Sequence, residues 1–318
     1  MSSRVSRVSG RWPMWHSRPR LCIIPKGQFL LVHNTAEGGC ATLMKTRKKV
    51  AHPGRCWRES ASDDILRTMA HVHRFYIPPG SEAGFEIPLP PDESHHAVHV
   101  VRVRSGERVV LFDGQGREIE GSVSRLTHRE VFILPDAERR VPAPTVQVAL
   151  LQAWLLREKS IEHLIRHGTE IGISQFCFFR ARHSEKAPRL SARWQRYAIE
   201  ACKQCARSWL PTFQVVADLN AALDLVRGPL LIATQSFAPV PIAEALRGVR
   251  ETCSSITLLA GPEGDFSPEE LQLASDHAAI PVSLGAATYR SEVAATLAAS
   301  LILYELGSLG PTSTRPHS

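Results

Sequence analysis

Two short segments of this 318-residue chain gather residues able to hold a ligand or move a proton. In the first, Ile256-Thr-Leu-Leu-Ala-Gly-Pro-Glu-Gly-Asp-Phe-Ser-Pro-Glu-Glu-Leu271, an apolar run gives way to Gly261, Pro262, Glu263 and Gly264 before a helix start. A loop at the carboxyl end of a strand is where open α/β sheets take ligands, and glycine lets a ligand approach the backbone. The loop has neither the Lys-Ser/Thr of a Walker loop nor a Gly-x-Gly-x-x-Gly fingerprint. It therefore suits a small ligand with no phosphate to cradle. In the second segment, Leu284-Gly-Ala-Ala-Thr-Tyr-Arg-Ser-Glu-Val-Ala-Ala-Thr296, a small-residue loop enters an Ala-rich helix with Arg290 and Glu292 at its start. A carboxylate there faces the positive end of the helix dipole. Alone, this pair reads equally well as a solvated surface ion pair; together with the glycine loop it becomes a candidate site.

The elements that must position these segments follow from hydrophobic periodicity and punctuation. Ile256, Leu258 and Leu259 form the short apolar run of a fully covered strand. Ser267, Pro268 and Glu270 compose a capping box with proline in the first helical turn. From residue 145 onward, strands at Val146–Leu151, Gln175–Phe179, Pro229–Thr234, Ile256–Ala260 and Val282–Leu284 alternate with helices at Glu158–Ile171, Ser191–Arg207, Ile242–Arg247, Pro268–Ala278 and Glu292–Leu306. That alternation predicts a mostly parallel sheet covered on both faces. Residues 71–141 read differently, with short strands at Arg74–Ile77, Arg108–Phe112, Glu118–Val123 and Val131–Leu134, a helical stretch at Ser94–Val103 and an Asp113-Gly114 turn. They predict a small β-barrel-like domain, followed by the linker Arg139-Arg-Val-Pro-Ala-Pro144.

Charge is unevenly placed. The chain carries a net +7, but residues 1–68 hold 13 Lys/Arg against 4 Asp/Glu, or +9, which leaves −2 for the rest. The basicity belongs to the N-terminal extension, so any polyanion site in the body must come from local clusters of Arg and His. The extension shows no sustained period and reads as disordered or weakly ordered. Met69 resembles a protein start, and the length of the extension, its Asp63-Asp64 and its prolines favour an over-called start codon over an Arg-rich targeting peptide. Residues 311–318 read as a disordered tail. Seven irregularly spaced cysteines suit a reducing cytoplasm better than a disulfide framework. No apolar stretch approaches the ~18 residues of a membrane span. His163 and His167 lie four apart on a helix without a third ligand, and Cys202-x-x-Cys205 lacks a second pair, so no metal centre is expected.

Taken in order, several segments resemble the RsmE family of SPOUT-superfamily methyltransferases. They are Gly-Pro-Glu-Gly before Phe266-Ser-x-Glu-Glu270, Leu284-Gly-x4-Arg-Ser-Glu292, His73-Arg-Phe-Tyr-Ile-Pro78, Val101-Arg-Val-Arg-Ser-Gly106, Thr169-Glu-Ile-Gly172 and Glu200-Ala-x-x-Gln-Cys-Ala-Arg207. The resemblance covers about residues 71–308. It implies a PUA-like RNA-binding domain over 69–141 and a dimerising, trefoil-knotted α/β domain over 142–310. It also implies S-adenosylmethionine-dependent methylation of a uridine N3 in small-subunit ribosomal RNA. Carried over residue by residue, it puts the cofactor against Thr234, Gln235, Leu259, Gly261, Pro262, Glu263, Gly264, Leu284, Gly285 and Tyr289. It makes Arg290 and Glu292 the catalytic pair and places RNA against Arg74, Arg102, Arg182, Gln204 and Arg207. Glu292 would accept the N3 proton and Arg290 would stabilise the resulting anion or a neighbouring phosphate.

The chain departs from the family pattern at Asp265, where a second glycine is usual, at Arg157-Glu-Lys-Ser160, which loses a glycine and a basic position, and at Trp209, where a basic residue is common. These departures bear on RNA affinity or target identity more than on the cofactor. Two rivals remain: a related enzyme acting on another RNA, such as transfer RNA, and an RNA-binding protein that keeps the cleft without catalysis. An oxidoreductase is excluded by the missing dinucleotide fingerprint.

Overall fold

The computed structural model describes residues 72–81, 84–234, 238–250 and 252–309, with the backbone of two short strands nearer the N-terminus. The chain divides into two units, Met1–Asp64 and Ile65–Ser318. In the first, β1 (Cys22–Ile24) and β2 (Gln28–Leu30) pair antiparallel; the expected disorder of 1–68 and of the C-terminal tail otherwise falls outside the described residues.

The second unit begins with a five-stranded sheet. β3 (His73–Tyr76), β4 (Ile87–Pro88), β5 (Arg108–Phe112), β6 (Arg117–Leu126) and β7 (Val131–Arg140) lie in the order β3-β5-β6-β7-β4. All pairs are antiparallel except β3 with β5. Strict alternation in β5 and β6 puts Val109, Leu111, Ile119 and Val123 into one core with Phe75, Ile77 and Ile133. The turn between β5 and β6 forms where Asp113-Gly114 predicts it, with Asp113 Oδ1 accepting from the backbone N–H of Gln115 at 2.7 Å. The single predicted helix is two: α1 (Pro91–His95) runs into a π-helical turn at His96–Val101, which closes on Arg102 in the left-handed region at φ 61.

The remaining strands are β8 (Gln147–Ala153), β9 (Ile173–Arg180), β10 (Thr212–Asp218), β11 (Leu230–Ala233), β12 (Val240–Pro241), β13 (Ser255–Ala260) and β14 (Ile280–Ser283). They form one all-parallel sheet in the order β10-β9-β8-β13-β11-β14-β12. Helices α2 (Glu158–Ile171), α3 (Arg193–Cys205) and α7 (Ser291–Glu305) bury Leu164, Trp194, Ala298 and Ile302 in a core on one face. Helices α4 (Leu219–Leu223) and α6 (Pro268–Asp276) bury Leu223, Leu271 and Ala274 on the other. Between them, α5 (Ile242–Ala245) packs against α7. The capping box at α6 is present: Ser267 Oγ accepts from the Glu270 N–H, and Glu270 Oε2 accepts from the Ser267 N–H. β10 escapes sequence detection because it is an edge strand whose residues are half-buried or exposed, so no apolar run marks it.

The two sheets of this unit meet at a polar joint. Glu118, 2% exposed, accepts from Arg74 Nη2 at 2.7 Å, from Arg139 Nε at 2.7 Å and from the Ser208 hydroxyl. Arg74 also lies over the Phe112 ring at 5.1 Å. Backbone bonds from Gly116 N to Ser208 O (2.9 Å) and from Leu210 N to Gly114 O (2.9 Å) add to the joint. Trp209, unexpected at its position, donates its indole N–H to Val141 and Pro142 carbonyls at 3.1 and 3.0 Å, pinning the linker. Its ring sits so close to Gly116 (φ 89) that a side chain there would come within 2.6 Å of it.

Burial pushes the Glu118 carboxyl up, but the hydrogen bonds from Ser208, Arg74 and Arg139 outweigh burial and hold it below the ordinary value. A depressed folded-state value stabilises above the unfolded value of about 4.3 and loses that stabilisation as pH falls through the folded one. Glu118→Gln leaves Arg74 uncompensated and should cost about 3–5 kcal/mol at pH 7. Denaturant melts of the two proteins should draw together below about pH 4; a gap independent of pH would refute the assignment.

Candidate active site

A cavity of about 590 Å³ opens at the carboxyl ends of β11, β13 and β14, within the usual range for small-molecule sites. Both chemical segments line it. Ala260, Gly261, Pro262, Glu263 and Asp265 come from the first bend, and Leu284, Gly285 and Thr288–Glu292 from the second. Ala233 and Thr234 supply the end of β11, while Leu156, Arg157 and Ser160 reach in from the start of α2. The two bends are joined directly, because the Ser291 hydroxyl bonds to the carbonyl of Gly261.

Within this wall the proposed residues separate. Thr234, Gly261, Pro262, Glu263, Leu284, Gly285 and Tyr289 all line the cavity. Gln235 lies outside the described residues. Leu259 does not line it: strand alternation turns it away from Ala260 into the core beneath α4 and α6, where it is fully buried. Gly264 is also off the wall. Its carbonyl accepts from His183 Nδ1 at 3.0 Å, and a side chain there would meet the His183 Cβ at 3.1 Å. Glu263 turns its carboxylate to the backbone N–H of Leu156 at 3.0 Å, so it fastens the bend to the chain leaving β8. Asp265 takes up the left-handed conformation at φ 59 that favours glycine, and its Oδ1 accepts from the Phe266 N–H at 2.8 Å. Asp tolerates this region because its side chain can bond locally, so the turn survives without the usual glycine.

Glu292 stands in the first turn of α7, 8% exposed, with Oε1 accepting from Ser160 Oγ at 3.1 Å. The unpaired N–H groups of a helix start favour a carboxylate at that place. Arg290, at the N-cap of α7, is exposed at the cavity rim, and among the described residues no carboxylate lies within ion-pair reach of it. A held carboxylate and an unpaired guanidinium two residues apart can accept a proton and stabilise an anion. Ser160, which holds Glu292, was missed by sequence reasoning; nothing in the spacing of residues 160 and 292 relates them.

The RNA candidates fare unevenly. Arg102, Arg182 and Gln204 are exposed, and Arg182 uses only its backbone N–H, which donates to Glu270 at 2.8 Å. Arg74 and Arg207 make bonds within the chain. Arg74 is 9% exposed and committed to Glu118. Arg207 donates to the carbonyls of Glu170 and Ile171 at 3.0 and 2.7 Å, closing the end of α2. Arg74 is thus engaged inside the joint, whereas Arg207 is half-buried and bonded to the end of α2. His163 and His167 are exposed on α2, and among the described residues no group of three metal-ligating side chains occurs.

Comparison with known proteins places this geometry. The RNA methyltransferase domain family matches residues 142–303, and an RNA methyltransferase PUA domain matches residues 89–136. The Ribosomal RNA small subunit methyltransferase E of Mycobacterium bovis is 28% identical over 255 residues, covering 76% of this chain and 92% of that protein. A Legionella pneumophila structure, described as that of a putative methyltransferase with bound cofactor SAM, is 26% identical with a TM-score of 0.64, covering 73% of this chain and 97% of the other. The Neisseria gonorrhoeae Ribosomal RNA small subunit methyltransferase E, solved with S-adenosyl methionine, shares the fold at 24% identity and a TM-score of 0.63, covering 74% and 98%. The expected α/β class therefore holds, with a PUA-like sheet preceding a SPOUT-type parallel sheet.

Gly285 has φ +97, and a side chain on it would meet no atom within 4 Å. Only backbone conformation resists substitution there, so Gly285→Ala should lower stability by about 1–2 kcal/mol in denaturant melts. An unchanged midpoint would mean that the second bend relaxes freely.

Proposed function

The chain belongs to the RNA methyltransferase family, and on that premise we propose that it methylates N3 of a uridine in small-subunit ribosomal RNA, using S-adenosylmethionine. The reading rests on one observation: the bend at Gly261 and the bend at Gly285 wall a single cavity, with Arg290 unpaired at its rim and Glu292 held inside it. The relatives named ribosomal RNA small subunit methyltransferases support the RNA substrate, and the neighbours solved with the cofactor support the donor. The present residues fit that donor. The cavity has the volume for it, and its walls are glycine bends and small apolar side chains.

When bound, S-adenosylmethionine supplies the methyl group. Gly261 and Gly285 let it approach the backbone, and Leu284, Pro262 and Ala260 shield it from water. Glu292 accepts the N3 proton, directly or through water, while Ser160 fixes its orientation. Arg290 stabilises the imide anion. The target base must leave its stack to reach the cavity, and Arg182, Gln204 and Arg102 are the exposed groups assigned to the RNA around it. Residues 69–141 and 142–310 act as the RNA-holding and methyl-transferring domains, and the protein works in the cytoplasm.

We assign it as a homodimer. Val293, Leu301 and Tyr304 are exposed on α7, an apolar helix with Ala298 and Ile302 buried on its other side. A stripe of that kind calls for a covering surface, and a second copy beside α7 lies close to the cavity.

Arg290→Ala should lower single-turnover methyl transfer by about 10²–10³-fold while cofactor affinity stays within about threefold; unchanged turnover would remove Arg290 from the chemistry. Mass mapping of N3-methyluridine in ribosomal RNA from cells lacking the gene tests the substrate, and an unchanged modification pattern would point to another RNA. Leu301→Glu should convert the sedimentation coefficient from that of a dimer to that of a monomer; a wild-type species already monomeric would refute the assembly.

A further inference from the structure

Gln152 is a polar side chain the mechanism does not use, yet it sits at the junction of everything the mechanism needs. It lies near the end of β8, in register with Ala260 of β13, and is 0% exposed. Its amide nitrogen is 3.0 Å from the carbonyl oxygen of Gly261 and 3.0 Å from Ser291 Oγ, with the carbonyls of Ala153 and Ala260 at 3.0 and 3.4 Å. Three carbonyl oxygens around one atom require a donor there, so the amide orientation is set by its surroundings. Its other end, Oε1, is buried and has no partner among the described residues. A buried amide with one end unsatisfied destabilises a core, whereas a leucine would fill similar space without that cost.

Two of these four acceptors lie outside β8 and the end of β13, and they define what the amide connects. Gly261 opens the first bend of the cavity, and Ser291 is the first residue of α7, between Arg290 and Glu292. Ser291 in turn bonds to the same Gly261 carbonyl. One amide and one hydroxyl thus fix the distance between the first bend of the cavity and the helix start that carries Arg290 and Glu292. Small displacements of reacting groups are costly in rate.

We propose that Gln152 is a positioning residue, whose amide N–H groups clamp the Gly261 bend to the start of α7 so that methyl donor, Arg290 and Glu292 share one fixed geometry. This rests on the cavity being the methyl donor's site. The donor role of the amide, rather than its bulk, is the essential part.

The test uses the full chain with S-adenosylmethionine titrated by calorimetry at pH 8 and pH 5.5, transfer rates on a ribosomal RNA transcript, and melting curves. Gln152→Leu should melt no lower than wild type, yet weaken cofactor binding about tenfold and lower the transfer rate at saturating cofactor about a hundredfold. Gln152→Glu should be as weak at pH 8, where a carboxylate would oppose the Gly261 carbonyl. At pH 5.5 the buried carboxyl becomes protonated and can donate, so its affinity relative to wild type should recover severalfold. Wild-type affinity and rate in Gln152→Leu, or a Gln152→Glu defect identical at both pH values, would overturn the proposal. Should Gln152→Leu fail to fold, Ser291→Ala removes one clamped partner from the cavity wall; it should lower the rate about tenfold with cofactor affinity less affected, and a wild-type rate would overturn the clamp. A wild-type protein that takes up no S-adenosylmethionine would overturn the reading of the cavity itself.

Discussion

The carbonyl oxygen of Gly261 is the point through which the two chemical segments hold each other in place. Thirty residues separate it from Ser291, yet the Ser291 hydroxyl and the Gln152 amide both converge on it. A backbone carbonyl just past the end of β13 has left the sheet ladder and would face the cavity unpaired. Satisfying it from two side chains turns an energetic liability into a fastening. The cavity depends on that fastening, because neither bend encloses a volume by itself. Glu263 adds a second tie, from the same bend to Leu156, so the first loop is held on both flanks.

A second constraint acts on the molecule as a whole. The PUA-like sheet and the parallel sheet meet over a nearly dry carboxylate, Glu118, gripped by two arginines and a serine. Ion pairs of this kind contribute little net stability against an apolar contact, but breaking them is costly. Together with the Trp209 clasp on the linker, the joint fixes the first sheet against the second. RNA is long and stiffly charged, so an interface built on two domains benefits from a fixed relation between them.

Three departures from the family pattern acquire physical meaning in this frame. Asp265 supports its own left-handed turn through a local hydrogen bond. Ser160, in a segment that has lost a glycine and a basic residue, orients Glu292. Trp209 exchanges a positive charge for a structural contact with Val141 and Pro142. None of them damages the cavity. The body of the chain beyond the first 68 residues is slightly acidic, so attraction to RNA must arise from local clusters of arginine.

Much of the fold was legible in the sequence. Apolar runs bounded by Gly and Pro gave β8, β11 and β13, because strands covered on both faces need nothing but hydrophobicity. The capping box gave the start of α6, since its hydrogen bonds are local. What stayed hidden was non-local or depended on facing: β10 at the sheet edge, the turning of Leu259 away from the cavity, the diversion of Arg74 and Arg207 into structural bonds, and the pairing of Ser160 with Glu292. By itself, the sequence determined the elements, their alternation and the two glycine-bearing bends that wall the cavity, all of which are encoded within a few residues of chain. Only the tertiary structure decided which side chains reach the cavity, because orientation across a sheet and contact between residues a hundred or more positions apart are settled by packing, to which local spacing is blind.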